Sequence, residues 1–423
     1  MRRASSTNLT EHLAALSPYF NIYRQPPAPV SHEVSGAVYL FRHGVLEVSR
    51  YDFAAYIAPF LQKLERFQQG GVPFVRGSLG HLNTYRSWIT EAHVGMVSKT
   101  GLQQSADLGR AFRIRYGQWL EDCQPTRGRQ APLMTVWADS ATRCRLTAIS
   151  FAEAFSGRVK GYTDDGLPDV DTRVRIVDAC GTSETCDNLS WHTALSVNQE
   201  AGNEQMSELM EIATYDACQR LKGDWLVAGT FGVRDVYAMQ LLHCYDIVSG
   251  RQSPWEECFT PSDWIGFEYL RDTKYHFSEG YGCDAARSYA VPWLQAGLRR
   301  LGQQEKVNAD FPLHVAFTHR EEVLYLCCLL GIAYEPGWMP DLTRVDQERQ
   351  WRVSLLAPYL GHVGIETYYR KSGHKSLRVI VNGGVGSAFF GQLQQDQDGG
   401  YDFSEVGAWA CEHPCRWKGF RGL

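Results

Sequence analysis

The chain has 423 residues, 44% of them hydrophobic and 21% charged, with a formal net charge of −5. That length allows one large elaborated domain or two domains, in the composition range of a globular enzyme. The mild negative charge offers no footprint for nucleic acid or an anionic membrane, and the longest apolar run, residues 323–333, is too short to span a bilayer.

In chain order, Arg2 and Arg3 open a segment that lacks the apolar stretch of a signal peptide, so the sequence predicts a cytoplasmic protein. Residues 36–42 read as a buried strand that ends in Arg42-His43-Gly44. Residues 50–69 place Phe53, Ile57, Phe60, Leu61, Leu64 and Phe67 on one helical face. A helix is expected from Gly101 to Leu120, a strand at 133–137, a helix at 147–157 that stops on a glycine, and a strand at 174–179. Residues 203–247 read as two helices and 260–272 as a capped third. The strand 313–320 runs straight into a helix that begins near Glu321, and two late strands follow at 364–370 and 376–382. Strands alternating with helices predict an α/β fold. Residues 17–50, 131–194 and 261–423 are assigned to the α/β core. Residues 51–130 and 195–260 are assigned to an inserted helical cap over the carboxyl edge of the sheet, where α/β proteins bind ligands.

Two histidines stand out within this frame. His43 and His319 each follow a strand, and each adjoins an arginine, Arg42 and Arg320. A single histidine at a strand end is most often a hydrogen-bonded structural residue; two in matching contexts make the functional reading worth carrying. Brought to one crevice, they form an anion-binding, proton-transferring pocket, to which the helix starting near Glu321 adds free N–H groups. His81, His93, His192 and His243 fall in cap-like regions and are assigned no role. The twelve cysteines are scattered; Cys411 and Cys415 have metal-like spacing but no second pair, so no metal and no cofactor are predicted, and most thiols read as small buried hydrophobes.

Ser17-Pro18-Tyr19-Phe20 followed by Val38-Tyr39-Leu40-Phe41-Arg42-His43-Gly44 resembles the start of the histidine acid phosphatases, particularly the fungal phytase branch, whose motif is Arg-His-Gly-x-Arg-x-Pro. The helix from Ser98 resembles that family's next helix. Residues 136–155 align without gaps to a block reading Val-Arg-Ala-Ser-Gly-Ser-Asp-Arg-Val-Ile-Ala-Ser. The stretch carrying Cys244 and Cys258 resembles the helical cap, and residues 314–333 resemble a block with Ser-His-Asp-Asn. Order and spacing hold over nearly the whole chain. The resemblance implies a histidine-phosphatase-like sheet flanked by helices. It implies a first histidine that becomes phosphorylated, three arginines and a second histidine that hold the phosphate, and an aspartate that protonates the leaving alcohol. Arg42, His43, Arg143 and His319 are kept. The motif's second arginine falls on Leu46, its proline on Val48, a further phosphate-binding arginine on Trp137 and the acid on Arg320. In secreted relatives the cysteines pair; in a cytoplasmic protein Cys244 and Cys258 would stay reduced.

These departures carry a cost. Two lost arginines remove about 3–6 kcal/mol of charge-assisted hydrogen bonding, and a lost general acid costs a further factor of about 10²–10⁴. Glu321 or Glu322 would be the displaced acid. Arg42 and Arg320 keep an appetite for an anion, while Leu46 and Trp137 would offer an apolar or stacking surface, or simply fill space. The glycine after His43 would let the backbone approach a ligand closely. Three readings stay open. The first is a repurposed enzyme doing non-hydrolytic acid/base chemistry (dehydration, cyclisation or isomerisation) on a small anionic natural-product-like molecule in a fungal biosynthetic pathway. In that reading His43 and His319 transfer protons while Arg42, Arg320 and Arg143 bind substrate. The second is a phosphomonoesterase with a displaced acid. The third is an inactive ligand-binding protein. The partner in each is a small anion, and the sequence does not give the oligomeric state.

Overall fold

The computed structural model describes residues 9–19, 34–122, 134–157, 159–162, 168–170, 174–178, 200–302, 313–397 and 399–412. An eight-stranded sheet forms the centre. Its strands lie in the order Tyr401–Asp402, Lys375–Val381, His362–Tyr369, Val34–Arg42, Leu313–Thr318, Met134–Ala138 and Val174–Asp178, with Gly384–Gly386 added on Lys375–Val381. From Val34–Arg42 to Val174–Asp178 the strands run parallel; on the other side of Val34–Arg42 they pair antiparallel. The two-residue period of the first strand explains the layering. Ala37, Tyr39 and Phe41 meet Phe112 and Phe151 of the helices Lys99–Asp122 and Thr142–Ser156. Val38 and Leu40 meet Leu294 and Leu324 of the helices Ala286–Gly302 and Arg320–Leu329. Each such large apolar side chain contributes about 1.5–3 kcal/mol on burial. Among the described residues no helix is long and apolar enough to cross a membrane.

A separate apolar cluster unites the segment 53–69 with the helices Asn203–Ala213, Tyr215–Lys222, Val233–Val248 and Pro261–Ser278. Its membership departs from the expected division between core and cap at two elements. Helix Lys99–Asp122, assigned to the cap, packs on the sheet against helix Thr142–Ser156. The two backbones approach so closely that a Cβ at Gly109 would stand 2.3 Å from the Phe151 carbonyl oxygen. Helix Pro261–Ser278, assigned to the core, buries Trp264, Phe267 and Leu270 in the cap cluster. The expected apolar face of residues 50–69 also shifts. Phe53–Ile57 is a π-helical turn that leads into the α-helix Ala58–Gln69. The wider turn breaks the 3.6-residue register, so Tyr56, Ile57, Phe60 and Leu64 are buried while Phe53, Leu61 and Phe67 are half-covered.

The eight described cysteines carry no disulfide, Cys244 and Cys258 included. Cys415, at metal-like spacing from Cys411, and His192 lie outside the described residues.

Burial holds His243, His276 and His362 at about 4. Below about pH 6.5 the unfolded chain protonates these rings and the fold does not, so the unfolded state binds more protons and stability falls as pH drops from about 6.5 to about 4. Each ring contributes at most ~3 kcal/mol to that loss. Urea unfolding followed by tryptophan fluorescence is expected to give a lower midpoint at about pH 5 than at about pH 7 with an unchanged slope; equal midpoints would contradict this.

Candidate active site

Sheet register assembles the site. Arg42 is the partner of Thr318, so the next residues, His43 and His319, leave adjacent parallel strands side by side, with ring centroids 5.7 Å apart. The His43 N–H donates to the Thr318 carbonyl at 2.9 Å. One strand further on, the Asp139 N–H donates to the Phe317 carbonyl at 3.0 Å, which places Asp139 at the same edge. The edge opens into a cavity of about 1260 Å³ between sheet and cap. Arg42, His43, Leu46, Arg143, His319, Arg320, Glu321 and Glu322 line it.

His43 Nδ1 lies 2.9 Å from the Gly44 carbonyl oxygen. A carbonyl only accepts, so Nδ1 carries the proton and the Nε2 lone pair is left for chemistry. Burial, reinforced by Arg42 and Arg143, holds the ring's pKa well below the usual imidazole range, so it stays neutral under acid conditions. Gly44 itself faces helix Lys99–Asp122, not a ligand as expected. A Cβ there would stand 2.9 Å from the Gly101 carbonyl oxygen, and one on Gly101 would stand 2.6 Å from the Val45 nitrogen.

In its neutral form His319 accepts from Arg143 Nη2 through Nδ1 at 3.1 Å and donates through Nε2 to Asp139 at 3.3 Å. Burial opposes charge on this ring, but Cys144 and the Asp139 carboxylate carry its pKa above the usual value. The two imidazoles are thus pushed apart, one kept as a base and nucleophile, the other more easily protonated. Arg143 makes no ion pair with a carboxylate among the described residues. Arg42 donates through Nη1 to the carbonyls of Ala15 and Ala357, the latter at 2.8 Å, and stacks on Tyr359 at 4.1 Å.

Three expected roles meet a different geometry. Arg320 is no free clamp: its guanidinium forks onto Glu279 with two 2.7 Å hydrogen bonds, donates to Glu321 at 2.9 Å, and stacks on Tyr275 at 4.0 Å. Trp137 lies outside the cavity lining. On a strand of period two it faces the layer of Val38, Leu40 and Trp293, under the Arg300 guanidinium at 4.8 Å, and offers a substrate nothing. Glu322 caps helix Arg320–Leu329, accepting from the His319 N–H at 3.3 Å. Glu321 is the carboxylate left open to the cavity, with its side chain 28% exposed. Burial pushes its pKa up, but Arg320, then His319 and Arg42, hold it down at about 2.

The sequence reading missed a whole wall. Helix Pro261–Ser278 and the residue after it present Arg271, Lys274, Tyr275, Ser278 and Glu279 to the cavity. Polar residues recurring at three- and four-residue spacing on a helix that is otherwise buried were the available signal. Arg271 is neutralised by Asp52 at 3.1 Å and also donates to the Tyr237 and Tyr275 hydroxyls. Lys274 donates to Asn203 at 2.6 Å and lies 3.7 Å over the Tyr51 ring. Burial, then Arg320 and Arg271, lower its pKa to about 8. Among the described residues, the side chains that could hold a metal are Asp139, Cys144 and His319, whose donor atoms fall within 4.8 Å of one another. The His319–Asp139 hydrogen bond occupies two of them, so no metal is assigned.

The model of the histidine phosphatase superfamily (branch 2) matches residues 33–382. Phytase A of Aspergillus terreus is 21% identical over 396 residues, covering 86% of this chain and 81% of that protein. In structure, the chain is similar to the phytase from D. castellii, with a TM-score of 0.75 and 17% identity over 96% of this chain and 85% of that one. It is also similar to the Bifidobacterium longum multiple inositol polyphosphate phosphatase in complex with inositol hexasulfate, with a TM-score of 0.65 and 16% identity over 95% and 97% of the two chains.

Proposed function

We propose phosphoryl transfer as the function of this chain, which belongs to branch 2 of the histidine phosphatase superfamily. The reading is hydrolysis of a phosphomonoester by way of a phosphohistidine. The observation that carries it is His43: Nδ1 tied to the Gly44 carbonyl, the ring kept neutral by burial, and Nε2 without a hydrogen-bond partner among the described residues. Nε2 attacks phosphorus, the bond from phosphorus to the alcohol oxygen breaks, and Glu321 gives its proton to that oxygen. Water then attacks the phosphohistidine, returns a proton to Glu321, and inorganic phosphate leaves. Arg143 and Arg42 hold the phosphoryl oxygens. The relatives named as phytases and as an inositol polyphosphate phosphatase support a phosphate ester as the substrate. The unpaired cysteines support work in a reducing compartment.

Glu321 is ionised in the free site, so its proton arrives with the substrate. A bound phosphate offsets Arg320 and Arg42, whose charges hold the carboxyl low, and its pKa rises. A phosphomonoester loses its second proton near about pH 6. The expected kcat/KM falls above about pH 6 and is flat on the acid side, with no loss as the pH is lowered through the ordinary histidine pKa, because His43 titrates well below it. A kcat/KM on an alkyl phosphate that climbs from about pH 5 to about pH 8 would contradict this reading.

The non-hydrolytic acid/base reading keeps one observation in its favour, the apolar Leu46 standing in the cavity where the family motif has an arginine. It predicts no phosphate release from any ester tried.

A further inference from the structure

We infer that this cavity selects a single phosphate carried on an apolar alcohol, an aryl or alkyl phosphomonoester, over a polyphosphorylated one. The identity of the anion rests on the phosphoryl-transfer reading; the selectivity rests on two features of the walls.

The first is charge. The lining holds six cations and four carboxylates, a formal excess of two positive charges. That balances one phosphate dianion. The pairing sharpens the limit, because Arg271 is bound to Asp52 and Arg320 to both Glu279 and Glu321. A second phosphate placed along the wall of helix Pro261–Ser278 would meet Glu279 and Glu321 and have to break these pairs.

The second is an apolar wall. Residues 94–97 lie along 45–48 as a short ribbon: the Glu47 N–H donates to the Met96 carbonyl at 2.8 Å, the Gly95 N–H to the Val48 carbonyl at 2.8 Å, and Leu46 bridges to Val97. This ribbon turns Leu46, Val94 and Met96 to the cavity, joined by Ala54 and Ala55 of the π-helical turn. Met96 is 43% exposed there, an apolar, adaptable side chain at a cavity wall. A hydrated polyphosphate gains nothing from such a wall, whereas an aryl or alkyl body buries against it.

The test is calorimetric binding to the full chain of three probes that cannot be hydrolysed: naphthylmethylphosphonate, methylphosphonate and inositol hexasulfate. The expected order has naphthylmethylphosphonate tightest, by about tenfold or more over methylphosphonate. Met96→Ala should weaken naphthylmethylphosphonate about three- to tenfold and leave methylphosphonate unchanged. Inositol hexasulfate binding tightest, or Met96→Ala affecting both phosphonates equally, would overturn the inference. Phosphate release from naphthyl phosphate, read on the same samples, separates the two claims. The expected selective binding without release would retire phosphoryl transfer and leave the selectivity standing. Faster release from inositol hexakisphosphate would overturn the selectivity and leave phosphoryl transfer. Binding of neither phosphonate would overturn both.

Discussion

His43→Ala is expected to lower phosphomonoester turnover by about 10⁴-fold or more while leaving phosphate binding nearly intact. The imidazole supplies the bond-forming electron pair, and no other nucleophile takes its place: His319 is engaged at both ring nitrogens. Arg143 and Arg42 remain to hold the phosphate, so inorganic phosphate should still bind within a few-fold of wild type. The fold should hold as well, because among the described residues the His43 side chain's hydrogen bond goes only to the adjacent residue's carbonyl. Loss of binding and turnover together would mean that the ring serves the architecture. Turnover close to wild type would remove the phosphohistidine from the account.

Glu321→Gln carries the second largest expected effect, about 10²–10⁴-fold on kcat/KM for an alkyl phosphate and far less on kcat/KM for nitrophenyl phosphate. An alkoxide needs a proton to leave and a nitrophenolate does not, so the ratio between substrates reports acid catalysis directly. A structural role would depress both alike. The amide keeps an acceptor for Arg320, and removal of one negative charge from the wall should tighten anion binding, visible as a lower KM. Glu322→Gln is the control: Glu322 caps helix Arg320–Leu329, so its loss should cost stability and hit both substrates equally. Equal losses in Glu321→Gln would move the acid elsewhere, with Glu279 next in reach through Arg320.

How much of this was legible in the sequence differs by residue. The pairing of His43 with His319 was, because a residue that directly follows a parallel strand is carried to one edge, and the register of Arg42 with Thr318 then fixes the separation. Trp137 was misplaced for a related reason. A gapless alignment says which residue occupies a strand position but not which layer that position faces, and one residue along a strand reverses the face. The Arg320 charge was legible and its neutralisation was not, since Glu279 lies 41 positions away and arrives on a helix assigned to the core. The same misassignment hid Arg271 and Lys274. The π-helical turn at Phe53–Ile57 was invisible to a search for 3.6-residue spacing, and it brings Ala54 and Ala55 to the cavity wall. Gly44 was rightly singled out for close approach, but the approaching body is Gly101.

The central claim is a covalent bond between phosphorus and His43, and trapping it is the most direct test. The full chain is mixed with nitrophenyl phosphate, quenched in alkali, where phosphohistidine survives, and mapped by peptide mass spectrometry. The account predicts one phosphoryl group per chain, on His43, absent from His43→Ala. Turnover with no label on the protein, or a label on any other residue, would contradict it.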